Sequence, residues 1–91
     1  MFKINDKVVC INDKGLNFSE YYYQRFYEGK VYTVSSLDSS SGAPFYGFYV
    51  TGIRGKIGPD GNEYSIDSYR FRKLEDIKEE NRLKNQQFQT L

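Results

Sequence analysis

The sequence predicts a mainly β domain over residues 1–74 followed by a helical extension over residues 75–91. Three observations carry this. Short runs rich in β-branched and ring side chains are separated by clusters of Gly, Pro, Asn and Asp, the pattern of strands and turns. From Glu75 onward the composition shifts to Glu, Lys, Asn and Gln, with Ile77, Leu83, Phe88 and Leu91 as the sparse apolar residues, which suits an exposed, weakly amphipathic helix. Finally, 91 residues allow one small core, since a chain of this size buries only roughly 60 to 65% of the surface its unfolded state exposes.

Lys7 to Asn12 reads as the first strand, bounded by Asn5-Asp6 and Asn12-Asp13. Alternation puts Val8 and Cys10 on one face and Val9 and Ile11 on the other, and two apolar faces suit a strand crossing the middle of a small barrel. The connection from Asp13 to Gly29 holds Phe18, Tyr21, Tyr22, Tyr23, Phe26 and Tyr27. Its inner part, Ser19 to Glu28, reads either as a short helix capped by Asn17 or Ser19 and ended by Gly29, or as two irregular arms. Lys30 to Leu37 is the clearest strand, with Val31, Thr33 and Ser35 opposite Tyr32, Val34 and Ser36. Asp38 to Pro44 is a loop, and Phe45 to Ile53 a third strand with Gly47 and Gly52 as bend points. The turn signal Pro59-Asp60-Gly61-Asn62 makes Gly55–Gly58 and Glu63–Ile66 the arms of a hairpin. Ile66 to Tyr69 suits one tight helical turn and Arg70 to Leu74 a closing strand. In the tail, Glu80 and Lys84 form a favourable i, i+4 pair, and fraying is expected after about Asn85.

Composition narrows the function. Thirteen Lys and Arg against twelve Asp and Glu leave a charge of +1, which removes the footprint of a binder working by charge alone. The chain has no histidine, so the commonest general base and metal ligand are missing. Cys10 is the single cysteine and reads as a small buried thiol within Val8-Val9-Cys10-Ile11, leaving no disulfide and no Cys-rich zinc site. Asp38, Asp60, Glu63 and Asp67 sit in turn-forming contexts, and Ser39, Ser40 and Ser41 lack a base. Gly52, Gly55, Gly58 and Gly61 recur every third residue, yet three triplets are too few for a collagen helix and their spacing is not that of a phosphate loop. No enzyme activity, cofactor or metal is therefore expected. No apolar run approaches the roughly 20 residues of a membrane span, and the first six residues lack a signal-peptide core, so no membrane association and a cytoplasmic location are expected.

Asn5-Asp6-Lys7-Val8-Val9-Cys10-Ile11 followed by Gly29-Lys30-Val31-Tyr32-Thr33-Val34 resembles the first two strands of SH3-like small barrels, and is similar to the start of KOW-type modules. Ile66-Asp67-Ser68-Tyr69-Arg70-Phe71-Arg72-Lys73-Leu74 resembles the helical turn and closing strand of small SH3-like proteins of bacteria and their phages. The resemblance covers about residues 5–74 and implies a five-stranded SH3-like barrel with a C-terminal helical extension. It implies a fold and leaves function to the residues. Two departures matter: the Trp that floors the polyproline groove of eukaryotic SH3 domains is missing, and so is the strongly basic context usual for KOW-type modules.

Two constellations are candidate sites. The first is the ring-rich run containing Tyr22, Tyr23, Arg25, Phe26 and Tyr27, whose rings cannot all face inward in so small a domain. These rings either fold onto the open end of the barrel, meet a protein partner or a second copy, or stack on nucleic acid. The second is a basic group, Arg54, Lys56, Arg70, Arg72 and Lys73, expected to converge if the third or fourth strand neighbours the closing strand, the alternative being a solvated face balanced by Asp60, Glu63 and Asp67. The resulting expectation is a non-catalytic protein-interaction module, a bacterial or phage accessory protein that binds a host or virion protein through the ring-rich run, with Ile77, Leu83 and Phe88 of the tail as a second surface. The alternative is a KOW-like nucleic-acid-binding module using the basic group.

Overall fold

The computed structural model describes residues 2–41 and 46–89. In chain order the elements are β1 (Lys7–Cys10), α1 (Phe18–Tyr21), β2 (Val31–Leu37), a 3-10 turn (Ser39–Ser41), β3 (Gly47–Val50), β4 (Ile66–Asp67), a second 3-10 turn (Ser68–Arg70), β5 (Phe71–Lys73) and α2 (Leu74–Gln89). Phe45, expected to open the third strand, and the Gly42–Pro44 part of the preceding loop lie outside the described residues, as do Leu91 and the side chain of Phe88.

Five antiparallel strands form one sheet in the order β4-β3-β2-β1-β5. The length of β2 makes this possible. Its first half pairs with β1, Val8 opposite Tyr32 and Val9 opposite Val31, and its second half pairs with β3, Val34 opposite Val50 and Leu37 opposite Phe48. The register shifts between Val34 and Ser36, where an extra residue bends the strand and turns the sheet. The closed barrel expected from the sequence is not formed. β4 and β5 are the two outer strands, and no pairing among the described residues joins them. The short 3-10 turn between them carries the chain from one edge of the sheet to the other instead of extending either strand.

Alternation sets the core. Val8 and Cys10 of β1, Tyr32 and Val34 of β2, Phe48 and Val50 of β3, Ile66 of β4 and Phe71 of β5 are buried together. Phe71 is the hub of the rings, with Phe48 at 5.3 Å, Phe26 at 5.4 Å and Tyr32 at 5.9 Å. Contrary to the two-faced reading of the first strand, Val9 is only half-buried and Ile11 is exposed. An open sheet covers one face, so β1 needs apolar residues on one side alone.

The ring-rich connection is mostly not helical. α1 spans four residues, and Tyr22 leaves it in extended conformation. From there the chain pairs with residues 54–56: Tyr22 bridges Gly55, the Tyr23 amide donates to the Arg54 carbonyl at 2.8 Å, and the Lys56 amide donates to the Tyr21 carbonyl at 2.8 Å. On its other side Gly55 lies so close to residues 63–64 that a Cβ there would meet the carbonyl oxygen of Tyr64. Successive rings have modest helix propensity, and the extended path supplies a backbone partner while sending alternate rings into the core. The hairpin expected around Pro59–Asn62 is present but short: Ile57 bridges Glu63, the Gly58 amide donates to the Asn62 carbonyl at 2.8 Å, and the Tyr64 amide to the Lys56 carbonyl at 3.0 Å. Ile66, expected in that hairpin, pairs with Phe48 in the main sheet instead.

α2 begins directly after β5 and runs 16 residues to Gln89, past the point where fraying was expected. It packs against β1 and β5, and the molecule measures 57 × 25 × 19 Å. Among the described residues no helix is long and apolar enough to cross a membrane.

Candidate functional site

The extended path from Tyr22 to Tyr27 sorts the ring-rich run. Tyr22 and Phe26 point inward. Phe26 is fully buried, edge-on to Phe18 at 4.6 Å and beside Tyr22 at 6.0 Å. The Tyr22 hydroxyl donates to the Ser65 carbonyl at 2.7 Å, and burial, more than the neighbouring charge of Asp67, pushes its ionisation up to about 12. Both residues are therefore core and not surface anchors, which corrects that part of the expected partner site. Residues 22 and 26 face the sheet, whereas 23, 24, 25 and 27 face solvent, because the chain bends at Tyr23 and Gln24 before Phe26 turns back inward.

Tyr23 is 66% exposed and Tyr27 51% exposed, and each is flanked by a cation. The Arg25 guanidinium lies over the Phe18 ring at 4.6 Å and near the Tyr27 ring at 5.6 Å. The Lys56 ammonium sits 5.5 Å from the Tyr23 ring and donates to the Ser19 carbonyl. Such contacts hold a cation against a ring without neutralising it. The surface is fixed from behind. The Tyr27 amide donates to the Tyr32 hydroxyl at 2.8 Å, and Gln24 accepts from the Arg54 amide at 2.6 Å. Two shallow grooves flank Gln24 and Arg25, which line both. One, of about 410 Å³, is bounded by Lys30, Thr33, Thr51 and Ile53. The other, of about 320 Å³, is bounded by Phe18, Ser19, Tyr23 and Lys56.

The basic group expected from the sequence is not one patch. Arg54 and Lys56 belong to the ring-rich surface, but the other three are engaged elsewhere. The second 3-10 turn rotates Arg70 inward until only 8% of it is exposed, and its guanidinium donates to the carbonyls of Asn12 at 3.3 Å and Lys14 at 2.8 Å. Arg72 forms a two-pronged ion pair with Glu80 of α2, and Lys84 adds its expected favourable charge to the same carboxylate. Lys73 reaches Asp6 at 3.8 Å. In their place the fold brings Arg25 and Lys30 beside Arg54 and Lys56. Among the described residues none of these four takes part in an ion pair. Lys30 was not singled out in the sequence, although the alternation Tyr23, Arg25, Tyr27 carries the two-residue period of an exposed extended segment.

A third groove, of about 370 Å³, has the opposite character. Asp38, Asp60 and Glu63 line it with Tyr49, Tyr64 and Ser65. Hydrogen bonds from Ser40 and Ser65 hold the Asp38 carboxyl below the usual carboxylate range. Burial, then the negative charges of Asp38, Glu63 and Asp60, push the Tyr49 hydroxyl up. Among the described residues no group of His, Cys, Asp and Glu has the arrangement to hold a metal ion. Cys10 is buried, and burial raises its thiol above the ordinary range. In the tail, Leu83 is exposed and Ile77 half-buried. The chain matches no family model, no curated protein and no solved structure.

Proposed function

We propose that this chain is a non-catalytic protein-interaction module with an open, SH3-like sheet, acting in the cytoplasm as a bacterial or phage accessory protein. The strand order and the 3-10 turn placed just before the last strand support the SH3-like reading. One observation carries the functional reading: Tyr23 and Tyr27 stand out from a rigid backing of buried Tyr22 and Phe26. Rings presented on a preformed support lose little entropy on docking and make effective interface anchors. A photo-crosslinking side chain placed at Tyr23 or Tyr27 tests this in the cells that make the protein. The expected result is a discrete, nuclease-resistant adduct of a protein or of a second copy, with none from the same group at Tyr69, an exposed ring of another element. No protein adduct from either position, or one that nuclease removes, overturns the reading.

Nucleic acid is the second reading, favoured by four cations: Arg25 and Lys56 against the rings of Tyr27 and Tyr23, Lys30 in a groove with Arg25, and Arg54, whose amide is bonded to Gln24. A single strand contacting all four through phosphates has a slope of about −3 in log affinity against log salt, so a fourfold rise in salt weakens binding on the order of 50-fold. An interface held mainly by rings changes little over that range.

A further inference from the structure

The ring-rich face has a chemistry that its exposed tyrosines alone do not explain. Its two grooves share Gln24 and Arg25 in their walls, which sets them side by side as a two-armed track. Lys30 stands in one arm, Arg25 at the junction and Lys56 in the other arm, with Arg54 alongside through its hydrogen bond to Gln24. The nearby carboxylates do not neutralise them: the Glu20 side chain lies 3.5 Å from the Asn17 amide, and Asp13 accepts from the Glu28 backbone. Tyr23 lines the arm that holds Lys56, and Tyr27 lies beside Arg25, so each ring offers apolar surface next to a positive charge.

We propose that the occupant of this track is an extended acidic segment of a protein partner, its carboxylates on Lys30, Arg25 and Lys56 and its apolar side chains on Tyr27 and Tyr23. This rests on the reading of the face as a protein-docking surface and names the chemistry of the partner. A carboxylate suits Arg25, whose planar fork pairs with it through two charge-assisted bonds. Alternation along an extended chain places charged and apolar side chains in turn, as the track requires. A long polyanion is the poorer fit. The acidic groove adjoins the Lys56 end of the track: the side chain of Glu63, which lines that groove, accepts from the amide of Gly55, the neighbour of Lys56, at 3.1 Å. A phosphate backbone continuing past the track meets Glu63, Asp60 and Asp38, whereas a short acidic segment ends before them.

The test is fluorescence anisotropy on the full chain with a fluorescein-labelled peptide of alternating Glu and Tyr, beside an oligothymidylate of equal length, at low and moderate salt. The peptide is expected to bind at least about tenfold more tightly than the oligonucleotide, and Arg25→Gln with Lys56→Gln to weaken it about tenfold or more, a decade being about 1.4 kcal/mol. Arg72→Gln with Lys73→Gln, which removes the same charge away from the track, is expected to change it less than about twofold. Should loss of the Lys56 bond to Ser19 lower the melting temperature, Arg25→Gln with Lys30→Gln takes the place of the first pair. No peptide binding at low salt, tighter binding of the oligonucleotide, or equal loss in both pairs of variants overturns the proposal. A protein adduct from Tyr23 combined with failure of the acidic peptide leaves the docking surface standing and removes only the acidic partner.

Discussion

Replacing Phe26 by Ala is the sharpest test of how the ring-rich connection is folded. Phe26 is fully buried and contacts Phe18, Phe71 and Tyr22 at ring separations of 4.6, 5.4 and 6.0 Å. Truncating a buried Phe costs about 3–5 kcal/mol, as lost transfer energy plus a cavity the surroundings only partly close. Closure is hindered here, because Phe71 is simultaneously held by Phe48 and Tyr32 on its other sides. The upper half of the range, about 4 kcal/mol, is therefore expected. Domains of this size are stable by about 5–14 kcal/mol, so the change removes a large share of the total and lowers the melting temperature by roughly 15–30 °C. Urea unfolding followed by circular dichroism reads it as a shift of midpoint at constant slope. Tyr27→Ala is the control: half of that residue is in solvent, and its backbone amide keeps its bond to Tyr32, so about 0.5 kcal/mol is expected. A loss below about 1 kcal/mol for Phe26→Ala, with a large loss for Tyr27→Ala, would show that the faces have been assigned the wrong way round.

Gly55→Ala pushes a Cβ into the Tyr64 carbonyl, a backbone atom that cannot swing aside, and displaces the strand segment that Tyr22 bridges on its other side. A destabilisation of about 1–3 kcal/mol is expected, with lost hydrogen-exchange protection at the Tyr23 and Lys56 amides, and retained protection counts against it. Arg70→Ala removes two charge-assisted bonds that tie the Asn12 and Lys14 carbonyls to the second 3-10 turn, with an expected loss of about 1.5–3 kcal/mol and faster exchange around Gly15 and Leu16. Tyr22 ionises near 12 in the folded chain against about 10 in the unfolded one, so its contribution is complete below pH 10 and disappears as pH rises through 12. Urea midpoints of Tyr22→Phe should therefore fall less steeply across that window than those of the parent chain, and equal slopes would mean that burial does not govern this hydroxyl.

Strands were legible wherever alternation meets a one-sided core. Lys7 to Cys10, Val31 to Leu37 and Phe71 to Lys73 all lie within the segments read from the sequence, because β-branched residues between turn signals leave few other options. What the residues did not reveal was set by long-range geometry. Tyr22 and Phe26 are four apart, a spacing that suits one face of a helix and, equally, one face of an extended chain. The choice is made by a backbone partner more than 30 residues away, residues 54–56, which Tyr21 to Tyr23 pair with instead of coiling. Closure failed for a related reason: Ile66 and Asp67 pair with β3 and Phe71 to Lys73 with β1, and the three residues between them turn too sharply to continue either ladder.

That same turn dissolved the expected basic patch. Arg70 and Arg72 are two apart, which on a continuous strand would put both on one face. The strand starts only at Phe71, so Arg70 belongs to a 3-10 turn and points into the molecule while Arg72 points toward α2. A change of local period by one residue thus moved a cation from the surface to the interior. The net charge misled in a similar way. A value of +1 reads as an evenly neutral surface, yet the fold gathers Arg25, Lys30 and Lys56 along one pair of adjoining grooves and Asp38, Asp60 and Glu63 in another. Fields of this kind reach about 8–10 Å through physiological salt, which is short beside the length of the molecule. A partner approaching either face therefore meets the local charge and not the total, so the cationic face can select an acidic partner although the chain as a whole is almost neutral.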